Sequence, residues 1–211
     1  MNKKCVIFDV DGTLIASEHV TLESLKVTMK NLFQKDYKDE EIEFAIWLPG
    51  QYSLEKLKIE KVEETLKVWF ENIKKLAHKA YLYPGIKELL EKLKVQNYKL
   101  GIISARYDYE IYEDKILREI LGYFDVIVPY SSDLRPKPYT DQLEIALKKL
   151  CVLKNEALYV GDTMVDYECA KNAGVDFVLA NWGERDKLKY FDDKPLKVSY
   201  KPFELLSFLA G

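Results

Sequence analysis

A chain of 211 residues, 48% hydrophobic and 32% charged, has the make-up of an ordinary globular protein, long enough for one large core or a core with a modest insertion. Its formal net charge of -3, with lysines interleaved among glutamates at helical spacing, lacks the electrostatic footprint of a nucleic-acid binder. No apolar run resembles a signal core or could span a bilayer, and Cys5, Cys151 and Cys169 show neither metal-ligand nor disulfide-framework spacing, so reduced, mostly buried thiols in a cytoplasmic protein are expected.

The chain opens on Lys4-Cys5-Val6-Ile7-Phe8-Asp9-Val10-Asp11-Gly12-Thr13-Leu14. Four apolar residues in a row predict a short strand buried on both faces, the kind found in parallel sheets. Asp9 and Asp11 follow it, and because side chains alternate along extended backbone they project from one side; Gly12 then permits a sharp turn. Two carboxylates in one small space repel unless a cation lies between them or one keeps its proton. Asp and Gly are also common turn residues, so the pair alone is compatible with a simple strand cap.

From Ala16 to about Ala80 the spacing turns helical. Leu22, Leu25, Met29, Leu32 and Phe33 predict one face, and Leu54, Leu57, Val62, Leu66, Trp69, Ile73, Leu76 and Ala80 another; a shorter helix is predicted near Glu40 to Trp47, stopped by Pro49-Gly50. Residues 16–80 are therefore expected to form an all-helical insertion, and residues 1–15 with 81–211 the core. Because the insertion leaves and returns beside Asp9 and Asp11, it is placed to act as a lid.

Strands and helices then alternate. Helix is predicted over residues carrying Ile86, Leu89, Leu90 and Leu93, strand over Tyr98 to Ser104, helix over Ile111 to Leu121, and strand over Phe124 to Val128. Helix follows over Thr140 to Leu150, strand over Ala157 to Val160, helix over Val165 to Asn172 and strand over Phe177 to Ala180. This pattern implies right-handed crossovers and a doubly wound, Rossmann-like α/β parallel sheet, whose ligands bind beyond the carboxyl ends of the strands. Glu184 to Pro202 has no clear assignment, and Phe203 to Leu209 reads as a closing helix.

Each later strand ends in polar residues. Ser104-Ala105-Arg106 offers a hydroxyl and backbone amides suited to a phosphate oxygen, or else a helix cap, with Arg106 expected in solvent. Lys137 lies between Pro136 and Pro138, which stiffen its backbone and favour a fixed ammonium. Asp162 and Asp166, four apart at a strand-to-helix turn, can face one site. Oxygen donors with no His or Cys nearby suit Mg²⁺.

These segments, in this order, resemble the four motifs of the haloacid dehalogenase-like hydrolases: Asp9-Val10-Asp11-Gly12-Thr13, Ser104, Lys137-Pro138-Tyr139-Thr140-Asp141 and Gly161-Asp162-Thr163-Met164-Val165-Asp166. The third motif departs from its usual Lys-Pro-x-Pro-Asp at Thr140. The helical insertion, with Ser17-Glu18, is similar to the small cap of the phosphoglycolate phosphatase and β-phosphoglucomutase-like branch. The resemblance implies Asp9 as nucleophile, Asp11 as acid/base and Lys137 as the neutralising cation. It further implies a Mg²⁺ site drawing on Asp9, Val10, Asp11, Asp162 and Asp166, and substrate contacts from Gly12, Ser104 and Ala105. In the cap, Leu48-Pro49-Gly50-Gln51-Tyr52-Ser53 resembles the branch's specificity loop, so Trp47 and Tyr52 are expected to touch substrate.

The expected activity is Mg²⁺-dependent hydrolysis of a small phosphorylated metabolite, of phosphoglycolate, sugar-phosphate or nucleotide type, by a monomer or homodimer. A β-phosphoglucomutase-type phosphomutase uses the same core, but the Arg that sugar-phosphate mutases tend to carry in that loop is absent. A receiver-like phosphoacceptor would place its acceptor Asp on a later strand, where none is found.

Overall fold

The computed structural model describes residues 3–183, 186–191 and 197–209. The sheet holds β1 (Cys5–Phe8), β4 (Lys99–Tyr107), β5 (Val126–Tyr130), β6 (Ala157–Gly161), β7 (Asp176–Ala180) and β8 (Val198–Ser199), in the order β5-β4-β1-β6-β7-β8, every neighbouring pair parallel. The α/β expectation holds. β1 is central: Val6 pairs with Leu100 on one side and Leu158 on the other. The sequence runs one way across the sheet through β4 and β5 and the other way through β6, β7 and β8, so the crevice where loops diverge opens at the end of β1.

Alternation along β1 sends Val6 and Phe8 into one apolar layer and Cys5 and Ile7 into another, all fully buried. The first layer packs against α5 (Ile86–Val95) and α9 (Leu205–Leu209); the second takes α7 (Asp141–Leu150) and α8 (Met164–Ala173). Cys5 and Cys169 are buried, Cys151 is exposed, and all three thiols are free.

Two two-residue strands that sequence periodicity misses, β2 (Ile15–Ala16) and β3 (Tyr81–Leu82), pair antiparallel and bracket the helical residues. Between them α1 (Glu18–Phe33) lies on α4 (Val62–Leu76), with α2 (Asp39–Ile42), a 3₁₀ turn over Glu43–Ile46 and α3 (Gly50–Lys56) completing the unit. These elements share their own apolar cluster around Leu25, Met29, Ile42, Leu54 and Trp69. Polar groups buried there are paired: Trp69 Nε1 donates to Ser24 Oγ at 2.9 Å and Asn72 Nδ2 to Thr28 Oγ1 at 2.9 Å, avoiding the cost of an unmet donor.

Two predicted helices are divided. The 54–80 stripe breaks between α3 and α4, where Lys58 takes a left-handed φ of 57° and the Ile59 amide bonds back to the Leu54 carbonyl. The stretch predicted as helix from Ile111 to Leu121 is instead α6 (Asp108–Glu113) followed by 3₁₀ turns. Asp114 causes that break: its Oδ1 accepts from the Ile116 and Leu117 amides and starts a new turn. Of the unassigned stretch, residues 184–185 and 192–196 lie outside the described residues; the rest contains β8 and a 3₁₀ turn at Lys187–Tyr190.

Candidate active site

The polar residues predicted at strand ends converge at the carboxyl edge of β1. Asp9 leaves β1 with its amide bonded to the Val160 carbonyl of β6, and a tight turn from Val10 to Ile15 follows, with Gly12 at φ 80°. A side chain at Gly12 would collide with Asp162, so the glycine serves both the turn and the close approach of that carboxylate.

Asp9, Asp162 and Asp166 are buried and bring one carboxylate oxygen each within 4.8 Å of one another. Lys137, 5% exposed, is the clasp. Its Nζ donates to Asp9 Oδ1 at 2.7 Å and to Asp166 Oδ1 at 2.6 Å. Burial works against the ammonium, but the two carboxylates outweigh it and keep Lys137 charged. Asp166 is likewise held below the ordinary carboxylate range, its burial overcome by Lys137 and by hydroxyls from Thr163 and Tyr159. Burial drives Asp9 well above that range, with Lys137 pulling the other way and Asp166 and Asp162 adding to the rise. Three carboxylates gathered in a dry space, all oxygen donors, make a set that fits a hard divalent cation.

Asp166 also carries a structural duty. It is the third residue of a capping box on α8, its Oδ2 accepting from the Thr163 amide at 3.1 Å while the Asp166 amide donates to Thr163 Oγ1. One side chain thus both caps α8 and lies in the buried acidic cluster.

Asp11 turns away from this cluster. Arg106 Nε donates to its Oδ2 at 2.8 Å and Nη2 to its Oδ1 at 2.6 Å, the Ser17 hydroxyl donates to Oδ1, and Arg106 Nη1 reaches Asp114 at 2.7 Å. Burial alone would raise Asp11; Arg106 and Ser17 overcome it and hold the carboxyl below its ordinary value. The expectation of a solvated Arg106 is therefore corrected: its side chain is 17% exposed and clamped between two acids. The Val10 carbonyl accepts from the amides of Thr13, Leu14 and Ile15. Asp11 lies outside the acidic cluster, its carboxylate engaged by Arg106 and Ser17.

Ser104 is buried at the end of β4's apolar run, its Oγ accepting from the Arg106 amide at 3.2 Å, and Ala105 borders a cavity of about 700 Å³ that also reaches Asp11. Trp47 lies elsewhere, in a second cavity of about 300 Å³ with Asp162. Tyr52 borders neither; its ring meets Tyr130 edge-on at 6.2 Å.

Two members of the site were not legible in the sequence. Tyr159, within the buried strand β6, donates its hydroxyl to Asp166 at 2.6 Å. Lys187, 4% exposed, places Nζ 2.6 Å from Asp162 Oδ2, 2.8 Å from the Gly12 carbonyl and 3.1 Å from Glu18 Oε1. Burial opposes its charge, but Asp162 and Glu18 prevail. Asp162 itself is pushed up to about 7 by burial, with Lys187 opposing the rise. The 3₁₀ turn that delivers Lys187 is fixed by Asn181 Oδ1, which accepts the Lys187 amide at 2.8 Å, and by Asp186. Nothing in the local pattern of an unassigned loop marks one lysine among several.

The family of haloacid dehalogenase-like hydrolases matches residues 6–180, and the chain belongs to it. Pyrophosphatase PpaX of Bacillus mycoides is 28% identical over 214 residues, covering 100% of this chain and 98% of that protein. Among solved structures, a protein provisionally named a phosphoglycolate phosphatase, from Lactobacillus plantarum, superposes with a TM-score of 0.85 at 23% identity, covering 98% of this chain and 99% of its own. A haloacid dehalogenase-like hydrolase from Streptococcus pneumoniae gives 0.80 at 26% identity, with 98% of each chain covered. The chain is thus an enzyme of the hydrolase class.

Proposed function

We propose that the chain is a Mg²⁺-dependent phosphatase that hydrolyses a small phosphomonoester, of phosphoglycolate, sugar-phosphate or nucleotide type, through an aspartyl-phosphate on Asp9. The observation that carries this reading is the Lys137 bridge between Asp9 and Asp166 in the buried acidic cluster. Pyrophosphatase and phosphoglycolate phosphatase, the names borne by similar proteins, both describe transfer of a phosphoryl group to water.

Asp9 presents a carboxylate oxygen to phosphorus. As the new O–P bond forms, the bond to the leaving oxygen breaks, and that oxygen takes a proton from Asp11. Water then attacks phosphorus, gives a proton back to Asp11, and the bond to Asp9 breaks. Lys137 offsets negative charge on Asp9 and on the transferring group. The Ser104 hydroxyl and the amide of Ala105 hold phosphoryl oxygens, while the Gly12 amide is taken by the Ile15 carbonyl at 2.8 Å and shapes the turn instead. In the arrangement described, Asp11 is a carboxylate held by Arg106, so it is set to act as a base; to act as an acid it must first take a proton from solvent, and a phosphoryl dianion drawing Arg106 away favours that uptake by removing the cation that keeps Asp11 ionised. Asp9, Asp162 and Asp166 would hold Mg²⁺, which when bound supplies charge that offsets repulsion between Asp9 and the incoming dianion. The helical residues 16–80 serve as a cap that excludes water, and the protein works in the cytoplasm on small metabolites.

The test is phosphate release from an aryl phosphate with and without Mg²⁺, in wild type and in Asp9→Asn. Wild type should turn over only with Mg²⁺, and the variant should lose at least about a thousandfold in kcat/KM while melting as a folded protein. An Asp9→Asn protein that keeps wild-type turnover would overturn the reading.

A further inference from the structure

The 700 Å³ cavity runs from Asp11, Ser17 and Arg106 up under α4, and its character changes along its length. At the bottom it is polar. Above, the wall is Ile46, Leu48, Leu66, Trp69, Phe70 and Ile73 from the helical unit, faced by Ala105 and Ile116 from the core. A phosphoryl group over Asp9 would direct its leaving oxygen toward Asp11, and whatever that oxygen carries would enter this space.

Three features define the occupant. The first is size. The volume suits a group of drug-like bulk, whereas the two-carbon acid of phosphoglycolate or the second phosphate of pyrophosphate would leave most of it unfilled. The second is charge. Glu110 borders the cavity and opposes a second anion, whereas Glu113 and Asp114 are already paired with Lys74 and Arg106. Of the basic groups there, Arg106 is bound to Asp11 and Asp114, and Lys74 to Glu113 at 2.8 Å; Lys75, His78 and Lys115 are exposed, so water screens them. The third is how the chamber is held together. Phe70 meets Tyr109 edge-on at 4.9 Å, and Lys74 pairs with Glu113, so the apolar wall on α4 is joined to α6 of the core at two points.

We infer that the substrate is the phosphomonoester of a bulky, uncharged and largely apolar alcohol, whose body fills the chamber under α4 while its phosphate lies over Asp9. This rests on the phosphatase reading above and selects within it, against short anionic leaving groups. Apolar burial then supplies the discrimination. Each methylene that enters the chamber should raise kcat/KM about threefold to fourfold, the fold-change equivalent to about 0.8 kcal/mol per buried CH₂.

The experiment uses primary alkyl phosphates from ethyl to hexyl, whose leaving groups are nearly equal in basicity, alongside phosphoglycolate and pyrophosphate, all with Mg²⁺. In parallel, binding of the matching alkylphosphonates, whose C–P bond resists hydrolysis, is followed by calorimetry. The expected result is a rise of about a hundredfold in both kcat/KM and affinity from ethyl to hexyl, which differ by four methylenes. Ile73→Gln, on the cap wall, and Tyr109→Ala, on the exposed core side, should each flatten the rise; two variants on opposite walls guard against misfolding of either. Binding that climbs with chain length in the absence of any turnover would uphold the chamber assignment and overturn only the phosphatase reading. A flat series in both measurements, or faster turnover of phosphoglycolate or pyrophosphate than of hexyl phosphate, would overturn the inference.

Discussion

Around Asp9, three aspartates and two lysines from separate segments are cross-bonded so closely that almost every charged oxygen has a named partner. Under α4 the wall is made largely of leucine, isoleucine, phenylalanine and tryptophan, held mainly by packing. The floor depends on the identity and position of each residue, because a buried charge without its partner costs several kcal/mol. The chamber depends on volume and polarity, and one aliphatic side chain can stand in for another at small cost. Substitutions should therefore have steep effects on the floor and graded effects in the chamber.

Beyond the nucleophile itself, Lys137→Ala should have the steepest effect. It leaves Asp9 and Asp166 facing each other without their shared cation, and kcat should fall about a hundredfold to a thousandfold. Steady-state kinetics on the folded variant decide it; a loss in KM alone would reduce Lys137 to a binding residue.

Lys187→Met asks whether the second ammonium competes with the metal or merely orients Asp162. Removing it strands Asp162 and Glu18 in the metal-free protein, at a stability cost of about 3 to 5 kcal/mol. A bound dication would relieve that repulsion, so half-saturating Mg²⁺, read by calorimetry, should drop about tenfold. Weaker Mg²⁺ binding would show that Lys187 positions the ligand and does not compete for it.

A smaller effect follows from Asp162, whose proton is held up to about 7 by burial. An acid raised in the folded state favours folding while protonated, and that contribution is lost as pH rises from the unfolded value of about 3.9 through about 7. Ligation needs the ionised form, so Mg²⁺ should raise the melting temperature more at about pH 8 than at about pH 5.5. An equal rise at both would separate Asp162 from metal binding.

Least should happen at Trp47 and Tyr52. Neither borders the chamber beside Asp11, so alanine at either should leave the ranking of substrates intact and change kcat/KM within about threefold. A reordered ranking would move specificity to the loop before α3.

The same contrast explains what could be read from sequence. The floor was legible because strand-end motifs are short, local and chemically constrained: Asp9, Lys137, Asp162 and Asp166 each sit beside a turn signal after an apolar run. The parallel sheet was implied by alternation of strand and helix, and the helical stretch after β1 by a change of period. Lys187 and Tyr159 escaped because their meaning comes from contacts to residues distant in sequence or across a strand-to-helix turn. Arg106 was misjudged because solvation is the usual state of an arginine, and its two acids lie 95 and 8 residues away. The breaks at Lys58 and Asp114 carry no glycine or proline to announce them. The chamber was hidden altogether, since its apolar residues are indistinguishable in sequence from those that fill the helical core.

Everything proposed for the floor turns on Asp9 carrying the phosphoryl group. Rapid acid quench of the Mg²⁺-loaded enzyme during turnover, followed by peptide mass mapping, tests this directly: the predicted result is an acid-stable, base-labile phosphate on the peptide containing Asp9, absent from Asp9→Asn. Turnover with no phosphoenzyme at any quench time, or with phosphate on another residue, would contradict it.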